Sequence, residues 1–228
     1  MRYEEWQPAY EAVLAAFGYG EAGDRRGRDA LLAALGDGRP LAVEDLELSG
    51  TVAVCGAGPS LAEELSVPRR ADAVVAASTA VDVLREAGIA VDCMVTDLDK
   101  NPDTTRELAA DGRPVAVHGH GDNVDAVRRV VPELEPATVL PTTQTEPRPP
   151  VVNPGGFTDG DRAAFLADAC GADRLVLAGW DLEDPSVGAE KARKLRWAGR
   201  LLYWLERRRG ERFDPLDGRR ADLELPWR

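Results

Sequence analysis

Two carboxylates and an ammonium fall within four consecutive residues, at Asp97, Asp99 and Lys100. They follow a short apolar run, Cys93 to Val95, of the kind that makes a buried strand. Where a strand ends, the chain leaves the sheet and strict alternation relaxes, so both acids can face one crevice. That set suits a divalent cation carrying a polyphosphate: the carboxylates hold the metal, and lysine offsets phosphate charge. The same residues would also serve as an acidic turn capping the next helix. The neighbouring motifs decide between the two.

Four more stretches carry residues of this kind after an apolar run. Thr51 to Cys55 reads as a strand, followed by the turn Gly56-Ala-Gly-Pro-Ser60 and an expected helix opening at Leu61 to Leu65. Gly56, Gly58 and Ser60 there could bring backbone amides to a phosphate at a helix N-terminus. Pro59 removes one donor, and the third glycine of a dinucleotide fingerprint is missing, so a plain tight turn stays open. Pro114 to Val117 runs into His118-Gly-His-Gly-Asp-Asn123, which holds both histidines of the chain. His118 and His120 lack the further nitrogen or sulfur ligands of a zinc site. A nucleotide or substrate loop with Asn123, and with Asp122 as an extra acid near the metal, is the functional reading; a structural turn is the other.

Asn153-Pro-Gly-Gly-Phe-Thr-Asp-Gly-Asp161 is the densest cluster of permissive and charged residues. Thr158, Asp159 or Asp161 can cap the helix that follows, while Gly155 and Gly156 can admit a phosphate or a flat heterocycle. Asp181 ends a strand over Arg174 to Ala178, beside Trp180. Lys191 and Lys194 share a face near the start of a long helix, Ala189 to about Arg208. Lysine there opposes the helix macrodipole. The pair therefore points to a bound anion, or to pairing with Glu183 or Glu190.

These turns need a scaffold that gathers distant strand ends. From Thr51 onward strand and helix signals alternate, which predicts an α/β fold: a Rossmann-like, mainly parallel sheet with helices on both faces. Residues 1–50 form a helical N-terminal segment, 51–210 the catalytic domain and 211–228 a C-terminal tail without regular pattern. In the first segment Tyr3, Trp6, Tyr10, Val13, Leu14 and Phe17 recur at helical spacing as a packing face, and a second helix covers Asp29 to Leu35. Thr142 to Pro150 is expected to be a mobile loop over the sheet edge.

With 228 residues and 44% hydrophobic content the chain can build one sizeable core. It has no apolar run of about eighteen residues and no signal-like start, so a soluble, cytoplasmic protein without a membrane partner is expected. Three scattered cysteines argue against a disulfide framework. A net charge of -12 disfavours nucleic acid. Of 28 basic residues only Lys100, Lys191 and Lys194 are lysines. The acid excess and arginine bias fit adaptation to high salt, and a GC-rich genome gives much the same bias.

Taken in order, Gly-Ala-Gly-Pro-Ser-Leu, Thr-Asp-Leu-Asp, His-Gly-His-Gly-Asp-Asn, Gly-Gly-Phe-Thr-Asp-Gly-Asp-Arg and Gly-Trp-Asp with Lys-x-x-Lys-Leu resemble the archaeal 6-hydroxymethyl-7,8-dihydropterin pyrophosphokinase family, related to thiamin pyrophosphokinases. The resemblance covers roughly Thr51 to Leu205. It implies magnesium-dependent transfer of diphosphate from ATP to a reduced pterin, releasing AMP, in tetrahydropterin or folate-type cofactor synthesis. Asp97 and Asp99 match the metal-binding acids, and Gly56–Ser60 a contact to nucleotide phosphate. The loops 118–123 and 155–161 match ligand-binding segments. Trp180 stands where a smaller apolar residue is expected. The acidic, lysine-poor surface would fit a salt-loving archaeon. A thiamin-type pyrophosphokinase, a metal-dependent nucleotide-sugar glycosyltransferase and a non-catalytic nucleotide-binding module are the alternatives, and a homo-oligomer is compatible with the sequence. A NAD-dependent dehydrogenase is disfavoured by the incomplete glycine fingerprint.

Overall fold

Six short apolar runs, each four or five residues long, become the strands of a single sheet. They are β1 (Thr51–Cys55), β2 (Ala73–Ala77), β3 (Cys93–Thr96), β4 (Val115–His118), β5 (Val139–Thr142) and β6 (Arg174–Ala178). The computed structural model describes all 228 residues, Met1–Arg228. All five strand pairings are parallel, in the order β5-β4-β3-β2-β1-β6. Parallel strands covered on both faces read as continuous apolar runs, because neither face meets water.

Helices cover the two faces. On one lie α3 (Ala80–Glu86), α4 (Pro102–Ala110) and α5 (Val124–Val130), packed through Leu84, Leu108 and Val127 against Ala53, Ala76 and Met94. On the other lie α6 (Asp159–Ala169) and α7 (Ala189–Arg209), whose Phe165, Leu201 and Leu205 meet Val52, Val54 and Val75. Burying each of these large side chains is worth about 1.5–3 kcal/mol against leaving it in water. No helix is long and apolar enough to cross a membrane.

The N-terminal helices divide between the faces. α1 (Tyr3–Phe17) joins the α6–α7 core through Trp6, Tyr10 and Val13, and α2 (Glu21–Ala34) joins the opposite one through Ala30 and Leu31. Gly18 ends α1 at φ 71°, a left-handed conformation that favours glycine. The linker that follows reaches the carboxyl rim of the sheet.

Connections run outward from β1 to β5 and then cross back to β6 on the far side of β1. The order therefore reverses between β1 and β6, where open parallel sheets place their ligand crevice.

Three expectations need correction. No α-helix follows β1: the chain makes 3-10 turns at Pro59–Ala62 and Pro68–Arg70 because the β6 end captures its amides and the Glu64 carboxylate. Thr142 to Thr145 is not a mobile surface loop but a buried run pinned by hydrogen bonds to Gly119, Val152 and Asp24. The second N-terminal helix starts at Glu21, well before Asp29.

Candidate active site

The carboxyl ends of the strands open into a cavity of about 700 Å³. Asp97 and Asp99 leave the end of β3 through Leu98, whose side chain is buried and whose φ is +67°. A non-glycine residue in that region is strained, and here it turns the chain sharply between the two acids. Asp159 is the first residue of α6, which packs across β1, β2 and β3. One oxygen from each of Asp97, Asp99 and Asp159 lies within 4.8 Å of the others. Three carboxylates at that spacing, without nitrogen or sulfur donors, fit a hard divalent cation such as magnesium.

Their electrostatics show the crowding. Burial raises the Asp99 carboxyl, and neighbouring Asp97 adds to it, so its pKa is pushed up to about 6. Burial together with the charge of Asp97 takes Asp159 to about 7, despite the Arg162 guanidinium 3.0 Å away. For Asp97 burial pulls the same way, but hydrogen bonds from His120 and Asp99 outweigh it and hold the group well below the usual carboxylate range. The cluster thus holds one firm negative charge and two acids that give up protons near neutrality. A cation arriving there takes the place of protons.

All three lysines of the chain line the same cavity. Desolvation, then the nearby charge of Lys100, lowers the pKa of Lys191. Lys194 reaches Glu190 at 3.4 Å. His120, Asp122, Thr158, Gly56, Gly58 and Asp181 complete the predicted residues on the cavity wall. Trp180, Phe157, Gln144, Arg162 and the segment Gly18–Gly20 also line it.

Several of the residues expected to bind ligand make hydrogen bonds within the scaffold. His118 is buried with Nδ1 3.0 Å from Thr142 Oγ1, and burial together with the Arg162 charge lowers its pKa. Asn123 donates to the carbonyls of Asp97 and His118 and accepts from the His120 amide, so it ties the β3 and β4 ends together. Asn153 donates to the Thr145 carbonyl and accepts from the Gly155 amide. Gly155 and Gly156, at φ 104° and 98°, let the loop press against Phe165 and Arg162. Asp161 is fully buried and accepts from the amides of Phe157 and Thr158 as a capping box for α6. None of these six residues borders the cavity.

The glycine-rich turn is likewise occupied. Gly56 and Gly58 donate to the carbonyls of Ala178 and Gly179, and Ser60 donates its amide to Asp181 Oδ2 at 3.0 Å. Ser60 lies off the cavity wall. The glycines are required by the β6 loop: a Cβ on Gly56 would stand 2.5 Å from the Gly179 carbonyl oxygen. Trp180 donates its indole N–H to the Val54 carbonyl and lies over Gly160.

A profile of the MptE-like family, described as 6-hydroxymethylpterin diphosphokinase, matches residues 38–186. The chain belongs to that family. It is 38% identical over 225 residues to the 6-hydroxymethyl-7,8-dihydropterin pyrophosphokinase of Methanothermobacter thermautotrophicus, an alignment covering 91% of this chain and 96% of that one. The protein of the same name from Pyrococcus furiosus is 40% identical over 90% and 95% of the two chains. That from Methanocaldococcus jannaschii is 29% identical over 90% and 96%.

The family span contains Asp97, Asp99, Asp159 and both loops that hold them, but not α1, α2 or the lysines of α7. The cavity is therefore closed by elements outside the span. Asp24, Gln144 and Arg162 were not singled out by sequence as site residues. The available signal was the capping-box spacing Thr158-x-x-Asp161, which assigns Asp161 to the helix end and frees Asp159 for the cavity.

Proposed function

We propose that this member of the family transfers a diphosphoryl group from ATP to the hydroxymethyl oxygen of 6-hydroxymethyl-7,8-dihydropterin and releases AMP. One observation carries the reading at the site: Asp97, Asp99 and Asp159 gather their oxygens within 4.8 Å in a cavity that all three lysines also line. Polyphosphate chemistry needs opposite charges in this arrangement, acids for the cation and cations for the phosphate oxygens.

In this reading Asp97, Asp99 and Asp159 would hold Mg²⁺, which when bound would offset the charge of the polyphosphate. Lys100 and Lys191 face the phosphate chain, and an anion between them relieves their mutual repulsion. The substrate hydroxyl attacks the β-phosphorus as the bond from that phosphorus to the α–β bridging oxygen breaks. The lysines take up the negative charge that grows on the departing AMP. Asp122, on the cavity wall, accepts the hydroxyl proton. Little basicity is required of it, because the transition state is loose. Phe157, Trp180 and Tyr19 give flat walls against which a heterocycle can lie.

The test is incubation with ATP, Mg²⁺ and the hydroxymethyl pterin, with nucleotide products separated. AMP formed one-for-one with pterin diphosphate is expected. ADP as the product, or turnover unchanged by chelation of the metal, would refute the scheme. Thiamin offered in place of the pterin should give no AMP.

A further inference from the structure

A buried chain of hydrogen bonds leaves the carboxylate cluster and ends in the N-terminal helices. Arg162 donates through Nη1 to Asp159 Oδ1 at 3.0 Å and through Nη2 to Gln144 Oε1 at 3.1 Å. Gln144 Nε2 donates to Asp24 Oδ2 at 2.9 Å, and the Tyr10 hydroxyl donates to the same oxygen at 2.8 Å. Guanidinium can only donate and a carboxylate only accepts, so the Gln144 amide has one workable orientation.

Tyr10, Asp24, Gln144 and Arg162 are respectively 2%, 6%, 4% and 6% exposed, and all but Tyr10 edge the cavity, so a lost partner can be replaced only by water at the cavity wall. At so buried a site an unmade bond carries much of its desolvation cost, and the members of one network are coupled. Packing alone would be served by apolar residues of the same size.

The far end is anchored independently. Asp24 Oδ1 accepts the amide of Gly121, and a methyl on Gly27 would come within 2.4 Å of the His120 backbone, so α2 sits directly on the loop behind Asp97. Gln144 thus fixes the plane of the Arg162 guanidinium, and Arg162 engages Asp159 Oδ1 and leaves its second oxygen without a protein donor.

We propose that Gln144 and Asp24 are positioning residues of the cation site, acting on Asp159 through Arg162, and that α1 and α2 are thereby part of the catalytic unit. The inference rests on the reading of Asp97, Asp99 and Asp159 as a cation site. Partners one step behind a metal ligand change metal affinity by about 10–100-fold when removed.

The experiment is Mn²⁺ binding by electron paramagnetic resonance to the full chain and to Gln144→Leu, Tyr10→Phe and Asp159→Asn, with thermal midpoints recorded. Gln144→Leu, one bond further from the ligand than such a partner, is expected to weaken Mn²⁺ by about tenfold, the low end of that range, while remaining folded. Tyr10→Phe, which keeps the ring and removes only the last donor, should weaken it several-fold. A folded Gln144→Leu with wild-type Mn²⁺ affinity overturns the proposal, and if that variant does not fold, an unchanged affinity in Tyr10→Phe does so. Unchanged affinity in Asp159→Asn would instead sink the cation site itself, together with everything built on it. A lower midpoint with unchanged Mn²⁺ binding would mark the chain of bonds as structural only, and overturns the proposal too.

Discussion

His120 Nε2 stands 3.4 Å from Oδ2 of Asp97, the one member of the cluster whose charge survives the crowding. The contact places an imidazole against the acid that must stay ionised when a cation arrives. Asp97→Asn keeps the size of the side chain and an oxygen for the Asp99 amide, while removing that charge. Turnover in the variant is expected to fall by at least about 10³-fold, as for loss of a transition-state charge partner. The variant should stay folded with a somewhat lower thermal midpoint, because the depressed pKa of Asp97 means that the fold favours its ionised form at neutral pH. Steady-state AMP release and a thermal melt of one sample check both. His120→Ala should retain the fold and lose about tenfold in turnover.

The cluster also sets a pH dependence of stability. Asp99 and Asp159 are raised from 3.8 to about 6 and about 7, so the folded chain binds their protons more tightly than the unfolded chain does. Between pH 4 and 7 the native state therefore carries more protons, and stability falls as pH rises through that range. The depressed pKa of Asp97 has the opposite sign but acts only below about pH 4; the lowered pKa of buried His118 also has the opposite sign and acts below about pH 6.5, where one group offsets part of the effect of two. In metal-free buffer the melting midpoint is expected to decline from pH 5 to pH 8. Mg²⁺ should raise it more at pH 7.5 than at pH 5.5, since protons compete for the same oxygens. A flat profile without metal would contradict the crowding.

Much of this was legible in the chain itself. Runs such as Thr51–Cys55 and Cys93–Thr96 announce buried parallel strands, and chemistry-bearing turns after such runs must share one rim of one sheet. The part that stayed hidden depends on three-dimensional bookkeeping of hydrogen bonds. Asp159 and Asp161 look alike two residues apart, yet Asp161 closes the α6 cap inside the core and Asp159 faces the cavity. Gln144 lies in a Thr- and Pro-rich stretch that resembles an exposed loop, and only its buried partners Arg162 and Asp24, 18 and 120 residues away, reveal its place. The Gly56–Ser60 turn carries a second role that its sequence does not show. Its glycines signal close approach, but of the β6 loop.

That last point can be tested directly. A methyl on Gly58 would lie 2.2 Å from Asp181 Oδ2 and 2.7 Å from the carbonyl oxygen of Gly179. Gly58→Ala is expected to cost about 1–3 kcal/mol in stability, the usual penalty for forcing atoms into a packed site. Asp181→Ala removes one of the two clashing groups, so the double variant should be less destabilised than the sum of the singles. A chemical denaturation cycle reads the coupling. If the glycine served only a phosphate, Gly58→Ala would leave stability unchanged and raise only the KM for ATP.

Lys191 offers the complementary measurement, at the end of the cavity where the proposed mechanism puts the phosphates. Its ammonium is exposed to the charge of Lys100 and already disfavoured by desolvation, an arrangement that costs stability until an anion fills the space between them. Lys191→Ala should therefore leave the empty protein as stable as before, or slightly more so. ATP affinity should fall by about tenfold, the equivalent of ~1.4 kcal/mol. The affinity of the wild type should weaken with added salt more steeply than that of the variant, because one cation fewer attracts the polyphosphate. Isothermal titration with a non-hydrolysable ATP analogue at two ionic strengths separates the outcomes. Equal affinities at both would place the phosphates away from the start of α7 and leave Lys100 as their remaining lysine partner on that side of the cavity.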